Sequence, residues 1–97
     1  MTPFARTVLD AVELIPAGAV MSYGDVAEFI SAGSARAVAT VMATHGAEVA
    51  WHRVVRADGS LAPRVRDRQL ELLRADGVPM NGTRVDLARA RWDGSSR

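Results

Sequence analysis

The sequence predicts a small, mostly α-helical single domain that contains a helix-turn-helix. The chain has 97 residues, which is enough for one modest hydrophobic core. Apolar residues at Phe4, Val8, Val12 and Ile15 recur at the spacing of one helical face. Further along, two short helical segments are joined by a small turn that contains Gly33, which is typical of a helix-turn-helix. Little or no β-sheet is expected.

The composition excludes several classes of site. Apolar residues make up 48% of the chain and charged residues 24%, as in ordinary soluble globular proteins. The chain has no cysteine, so disulfides, thiolate metal ligands and a cysteine nucleophile are all excluded. Its two histidines, His45 and His52, have no carboxylates framing them, so we expect neither a metal nor a cofactor. Because no apolar run or leader segment is evident, we expect a cytoplasmic, nucleoid-associated protein.

The positive charge is concentrated in one part of the chain. Net charge is only +1, but all 12 positive residues are arginine. Arginine makes forked contacts with phosphates and stacks on bases. The segment 53–68 contains Asp58, Asp67 and a larger number of arginines, namely Arg53, Arg56, Arg64, Arg66 and Arg68. A local basic strip of this kind favours contact with a phosphate backbone.

Serine caps define the two motif helices. Ser22 can cap a helix over Tyr23–Ile30, and Asp25 three positions later approaches a capping box. Ser34 can cap a second helix from Ala35 to about Thr44.

The second motif helix has two different faces. One arc places Val38, Val41, Met42 and His45 toward the core. The opposite face is nearly free of bulky side chains, and it consists of Arg36, Ala39, Thr40 and Ala43. A face of this kind suits close approach to a DNA groove, with a flat protein surface as the alternative partner.

The remaining segments are predicted from local signals. Residues 51–55 end in two β-branched valines, which favours a short extended segment entering the core. Asp58-Gly59 places a turn in a surface loop over residues 56–64, and a helix is predicted from residue 65 or 66 to Ala75. Gly77 is positioned to end that helix in a left-handed cap. A turn is expected at Asn81-Gly82, and the tail over residues 93–97 is expected to fray.

Four separated blocks together resemble one family of DNA-repair proteins. They are Ser22-Tyr23-Gly24-Asp25-Val26-Ala27, Ser34-Ala35-Arg36-Ala37-Val38, Trp51-His52-Arg53-Val54-Val55 and Asp58-Gly59. Their order and spacing resemble the C-terminal DNA-binding domain of O6-alkylguanine-DNA alkyltransferases, which is winged-helix-like. That family carries a Pro-Cys-His-Arg-Val run at its active site. In its non-enzymatic branch, the alkyltransferase-like proteins, tryptophan replaces the cysteine, as Trp51 does in this chain, where Ala50 also replaces the proline.

The resemblance implies a role in DNA binding for the motif helices. Tyr23 would crowd the phosphate of a rotating nucleotide; the alternative is a tyrosine at the edge of the core. Arg36 would fill the gap that a rotated base leaves in the duplex, or else contact a phosphate. Ala39, Thr40 and Ala43 would lie in the groove.

The same resemblance implies a pocket for the damaged base, lined by Tyr23, Trp51, His52, Arg53, Arg64 and Trp92. Trp51 would pack on the alkyl group, although by itself it could equally be a core anchor. Arg64 would stack on the extruded base or face a phosphate. His52 would form structural hydrogen bonds, Arg53 would support the pocket or a loop carbonyl, and Trp92 would close over the pocket or join a satellite core.

These residues lead to a functional hypothesis in which the chain is not an enzyme. It would bind O6-alkylguanine in double-stranded DNA as a monomer, flip the base without alkyl transfer and flag it for nucleotide excision repair proteins. One alternative is a helix-turn-helix transcriptional regulator that binds undamaged DNA, although the face from Arg36 to Ala43 lacks the side chains usual in major-groove readout. Another alternative is a relict that serves only as a protein-interaction module.

Overall fold

The computed structural model describes residues 1–95 and confirms the mostly helical architecture with a helix-turn-helix. Its helices are α1 (Pro3–Leu14), α2 (Tyr23–Ile30), α3 (Ala35–His45), α4 (Arg66–Ala75) and α5 (Leu87–Ala90). Its strands have two residues each: β1 (Met21–Ser22), β2 (Val54–Val55), β3 (Met80–Asn81) and β4 (Arg84–Val85). Two 3-10 turns lie between α3 and β2, at Gly46–Glu48 and Trp51–Arg53.

Helix α1 begins where its sequence provides a cap. The Thr2 hydroxyl accepts a hydrogen bond from the Ala5 N–H at 3.1 Å, and Pro3 occupies the first turn, where a missing N–H has no cost. Val8 and Val12 are fully buried, as their spacing predicted. The helix therefore serves as a scaffold that covers the motif helices.

The short parallel pair of β1 and β2 separates two hydrophobic clusters. Met21 is aligned with Val54, and Ser22 with Val55. Because neighbouring residues of a strand point to opposite faces, Met21 and Val54 join a cluster with α1, α2 and α3. Val55 instead joins a second cluster, which also contains Val20, Leu61, Leu70, Leu73, Val78, Val85 and Ala90.

The second half of the chain contains structure that the sequence patterns did not reveal. Strands β3 and β4 form an antiparallel hairpin around the predicted turn at Asn81-Gly82, where Gly82 has a φ of +64°. Helix α5 follows it, in a region for which the sequence predicted no helix. The Val20 N–H donates to the Ala90 carbonyl at 2.9 Å, which ties this segment back to β1.

Gly77 ends α4 as predicted. Its φ is +78°, the Gly77 N–H donates to Arg74, and the Val78 N–H reaches the Leu73 carbonyl at 3.1 Å. This is the Schellman arrangement, and it folds the buried Val78 back onto the helix.

Within residues 1–95, no helix by itself has the length and apolar character to cross a membrane. One pair, α2 with α3 and the turn after it, meets the criterion by length and composition but is bent by 104°.

Candidate nucleic-acid interface

Hydrogen bonds that two serine side chains accept set the beginnings of the motif helices. Ser22 Oγ accepts from the Asp25 N–H and Asp25 Oδ2 accepts from the Ser22 N–H, both at 3.0 Å, so the capping box is complete. Ser34 Oγ accepts from the Ala37 N–H at 3.1 Å. The axes of the two helices differ by 104°, within the range usual for a helix-turn-helix.

Helix α3 buries part of the face that its pattern predicted. Val38 and Val41 are buried, whereas Met42 and His45 are only half-buried. His45 turns toward Glu48, with 3.3 Å between Nδ1 and Oε2. His45 is the last residue of the helix, and its side chain borders a hollow beside Ala5 of α1 and pairs locally with Glu48.

The predicted extended segment at residues 51–53 is a tight 3-10 turn. Ala50 has φ −74° and ψ 67°, and the Trp51 N–H donates to the Val49 carbonyl at 2.8 Å, which together define an inverse γ-turn. The Arg53 N–H then donates to the Ala50 carbonyl at 3.1 Å. Only Val54 and Val55 are extended, because only they have a strand partner. The turn keeps Trp51 half-buried at a surface instead of anchoring it in the core.

Trp51 lines a cleft of about 340 Å³ between α3, the Trp51 turn and the loop before α4. The residues that line this cleft are Tyr23, Ala39, Met42, Ala43, Ala47, Trp51, Ala62, Arg64 and Val65. The structure thus brings together Tyr23, Trp51 and Arg64 with the small residues Ala39 and Ala43 of α3. The walls of the cleft are mainly apolar, and they also carry the phenol of Tyr23 and the guanidinium of Arg64.

The phenol of Tyr23 is partly shielded from water. Burial raises the pKa of its hydroxyl above the ordinary 10.0, and the positive charge of Arg56 acts in the opposite direction. The hydroxyl is therefore a protonated hydrogen-bond donor at neutral pH.

His52 and Arg53 lie outside the cleft lining, although the sequence placed them in the pocket. His52 is buried, and its Nε2 lies 2.8 Å from Oδ2 of Asp76. Arg53 Nε donates to the same oxygen at 2.9 Å, and its Nη1 donates to the Ile15 carbonyl at 3.1 Å. Their hydrogen bonds point into the protein and hold the Trp51 turn on the side away from the cleft. One of them, from Arg53 to the Ile15 carbonyl, is the kind of carbonyl contact expected for Arg53.

Gln69 is a further support that the sequence reading missed. Its buried amide nitrogen donates to the carbonyls of His52 and Val54, both at 3.0 Å, and so joins α4 to the Trp51 turn. A signal was present: Gln69 lies four residues before Leu73, on the buried face of α4. Asp76 offered no such signal, because it meets His52 across 24 positions.

Trp92 is also absent from the cleft lining. Its ring packs against Phe29 of α2, with 5.6 Å between centroids, and its Nε1 donates to the Ser95 carbonyl at 3.1 Å. The Trp92 backbone N–H donates to the Val20 carbonyl at 2.8 Å. This bond directs the side chain to the hydrophobic cluster that contains Met21 and Val54. Within the tail that was expected to fray, the Ser95 N–H donates to Asp93 Oδ1 at 2.8 Å, and residues 96–97 of that prediction lie outside the described residues.

Arg36 and Thr40 are exposed on α3 and do not line the cleft. Arg36 is the second residue of the helix, and within residues 1–95 its guanidinium forms no ion pair or hydrogen bond. Thr40 borders a different, shallow hollow of about 430 Å³ beside Thr2 and Ala5, with its hydroxyl bonded to the Arg36 carbonyl. Arg36 is thus free to project from the helix.

The described residues of the cleft supply binding groups. The chain has no thiol, and the indole of Trp51 occupies the position before His52. In the described part of the chain, no three His, Asp or Glu side chains cluster closely enough to hold a metal ion. The arrangement can enclose a flat apolar group and present donors to an anion.

Comparison with known proteins relates both the sequence and the fold to DNA-binding proteins. The family model described as 6-O-methylguanine DNA methyltransferase, DNA binding domain, matches residues 3–78. The DNA base-flipping protein of Escherichia coli is 39% identical over 98 residues, covering 93% of this chain and 74% of that protein. Alkyltransferase-like protein 1 of Schizosaccharomyces pombe is 36% identical over 107 residues, covering 95% and 96%. The crystal structure of S. pombe Atl1 with damaged DNA containing O6-carboxymethylguanine superposes with a TM-score of 0.82 at 30% identity, covering 95% and 96%.

Proposed function

This chain belongs to the family of 6-O-methylguanine DNA methyltransferase DNA-binding domains, and we propose that it recognises O6-alkylguanine in duplex DNA without removing the alkyl group. The observation that carries the proposal is the position of Trp51. It lines a cleft beside the helix-turn-helix, at the place where the resembling enzymes carry their cysteine.

Alkyl transfer to the protein requires a nucleophile that ends the reaction covalently bonded to the alkyl carbon. A thiolate does this readily, because its sulfur is charged and polarisable. The indole nitrogen of Trp51 is a hydrogen-bond donor without an available lone pair. The neighbouring pair of His52 and Asp76 remains, but it has no thiol to deprotonate.

The cleft is suited to holding a rotated base. Trp51 and Met42 offer apolar surface to an alkyl substituent, and the Arg64 guanidinium can stack on the face of the purine. Ala39 and Ala43 let the DNA backbone approach α3 closely. Unstacking a base costs a few kcal/mol, and the unpaired guanidinium of Arg36 offsets that cost by filling the vacated position in the duplex.

The relatives support this assignment through what their own names state. One is a base-flipping protein and another was crystallised with damaged DNA. In this chain the same steps would end at recognition, so the lesion persists. We propose that the bound protein flags the site for nucleotide excision repair, and that it acts as a nucleoid-associated monomer in the cytoplasm. Faster incision of a lesion duplex by excision proteins of the source organism, when the chain is added, would support this step.

A binding comparison tests lesion recognition. Affinity is measured for one duplex with a single O6-methylguanine and for the same duplex undamaged, at one stated salt concentration. We expect tighter binding of the damaged duplex, and we expect Arg36→Ala to lose most of that preference. Arg89→Ala is the matched control, since this exposed arginine pairs with Asp86 and does not line the cleft. Equal affinity for the two duplexes would contradict the proposal and favour a regulator of undamaged DNA.

A labelling experiment tests the absence of transfer. The protein is incubated with duplex DNA that carries a radiolabelled O6-methyl group, with a cysteine-containing alkyltransferase as the positive control. We expect all label to stay with the DNA. Label that moves to this chain would show that it is an enzyme.

A further inference from the structure

We propose that Arg56 and Tyr23 together bind one phosphodiester group of the DNA at the edge of the cleft, which makes Arg56 a further DNA-contacting residue. This inference rests on the proposed function, because it concerns how the lesion-bearing strand is held. Arg56 lies outside the four sequence blocks that resemble the family. The resemblance therefore assigned it no role, in contrast to Tyr23, Arg36 and Arg64.

The strand register brings the two residues together. In the parallel pair of β1 and β2, Ser22 is aligned with Val55. Tyr23 follows Ser22 and Arg56 follows Val55, so both leave the same end of the pair at neighbouring positions. Tyr23 lines the cleft, and Arg56 is exposed and close enough for its charge to act on the Tyr23 hydroxyl. The proximity of Tyr23 and Arg56 therefore follows from backbone pairing and does not depend on a mobile loop.

The guanidinium of Arg56 is uncommitted, in contrast to several other arginines. Within residues 1–95 it forms no ion pair and no hydrogen bond. Arg53, Arg84 and Arg91 are instead paired with Asp76, Asp58 and Asp25. An exposed arginine with no acidic partner, next to a binding cleft, has its full charge available to a ligand.

The backbone of Arg56 is held in place on both sides. Its carbonyl accepts from the Gly59 N–H at 2.8 Å, and its N–H donates to the Ser60 carbonyl at 3.2 Å. The Gly59 carbonyl in turn accepts from the Val85 N–H at 2.9 Å, which ties the loop to the β3–β4 hairpin. A side chain on a fixed backbone loses less conformational freedom when it binds.

The two groups suit a phosphodiester in charge and in hydrogen bonding. The Tyr23 hydroxyl keeps its proton and donates, and the guanidinium provides a planar set of further donors. Among residues 1–95, no acidic side chain lines the cleft. An anion placed between the two donors meets both a full charge and a neutral hydrogen-bond donor, and a phosphate that swings with a rotating nucleotide is such an anion.

The test combines a protein variant with a modified DNA. Each phosphate within three positions of an O6-methylguanine is replaced in turn by a neutral methylphosphonate, and affinity is measured for the native chain and for Arg56→Gln. We expect one methylphosphonate to weaken native binding about tenfold and to have almost no further effect on Arg56→Gln, since both changes remove the same charge contact. Arg56→Gln should also lower the salt slope of log K by about 0.9.

Two more variants complete the design. Tyr23→Phe keeps the ring and removes the donor, so the methylphosphonate that has almost no further effect on Arg56→Gln should also weaken Tyr23→Phe less than it weakens the native chain. Arg89→Gln removes one exposed charge elsewhere, and it should leave the methylphosphonate profile and the salt slope unchanged. Thermal unfolding of each variant verifies that the fold is intact.

The outcomes separate this inference from the proposed function. If the native chain prefers the lesion duplex but every methylphosphonate acts additively with Arg56→Gln, Arg56 contacts no single phosphate and the inference is wrong. If the native chain shows no lesion preference, the proposed function fails, and this inference about the lesion-bearing strand fails with it.

Discussion

The carboxylate of Asp76 lies 2.8 Å from Nε2 of His52, and the same Oδ2 accepts from Arg53 Nε at 2.9 Å. One carboxylate at the end of α4 thus holds the two residues that follow Trp51. In an enzyme with a thiol at position 51, a histidine held in this way could act as a base. In this chain the network fixes the turn that presents Trp51 to the cleft.

The first prediction concerns Asp76 and pH. The hydrogen bond from Arg53, followed by that from His52, lowers the pKa of Asp76 below its ordinary 3.8, against the opposing effect of burial. A lowered folded-state pKa contributes stability that is present above 3.8 and is lost as the pH falls through the folded value. We expect Asp76→Asn to reduce the free energy of unfolding by about 1.5–3 kcal/mol at neutral pH and to flatten its decline in acid, measured by urea unfolding between pH 2 and 7.

The control for this prediction is Asp10→Asn. Asp10 pairs with Arg6 at 3.8 Å on the exposed face of α1, where we expect an effect below about 1 kcal/mol. Asp58 also has a lowered pKa, mainly because of its hydrogen bond with Ser60. Some acid dependence should therefore remain in Asp76→Asn, and a curve identical to the native one would contradict the role of Asp76.

The second prediction concerns Gln69. Gln69→Leu leaves the carbonyls of His52 and Val54 without their buried donor, which should cost about 1–3 kcal/mol of unfolding free energy. The Trp51 turn should also loosen. In a Trp92→Phe background, where Trp51 is the single tryptophan, its fluorescence should shift to the red. Glu71→Leu makes a similar change on the exposed side of α4 and should leave the emission unchanged.

The third prediction concerns Ala50, which stands where the resembling motif has proline. Its φ of −74° is one that proline adopts, Val49 before it is extended, and within residues 1–95 its N–H donates no hydrogen bond. We expect Ala50→Pro to raise the free energy of unfolding by about 0.4–1 kcal/mol, because it restricts the unfolded chain. Ala43→Pro, in the interior of α3, should lower it by about 3 kcal/mol or more. A destabilised Ala50→Pro in thermal unfolding would show that the γ-turn has been misassigned.

The fourth prediction compares two glycines with left-handed backbones. Gly59 has a φ of +83°, and a Cβ there would clash with the Val85 carbonyl oxygen. Gly77 has a φ of +78° with open space around it. We expect Gly77→Ala to cost about 1 kcal/mol from the backbone alone, and Gly59→Ala about 2–4 kcal/mol because the hairpin must also move. Equal losses in denaturant unfolding would contradict the close approach of Gly59 to β4.

Local signals allowed helices α1 to α4 to be predicted. Ser22 and Ser34 begin the motif helices, and Gly77 ends α4, through hydrogen bonds that span at most five residues. Such bonds depend on neighbouring residue types, which the sequence displays directly. The absence of a thiol was also evident from the composition. The resemblance indicated Tyr23, Trp51 and Arg64 as pocket residues, and the structure places all three at the cleft.

The arrangement around Trp51 was decided by the tertiary structure. The valines at 54 and 55 suggested an extended run, but Trp51 to Arg53 coil into a turn because Asp76, Gln69 and Ile15 bind His52 and Arg53 from 17 to 38 positions away. Trp92 was expected either to close over the pocket or to join a satellite core, and its bond to Val20 places it against Phe29. The adjacency of Tyr23 and Arg56 arises only from the pairing of β1 with β2. Capping is determined by residues within one helical turn, whereas these contacts depend on which distant segments share a core, and no local pattern in the sequence specifies that.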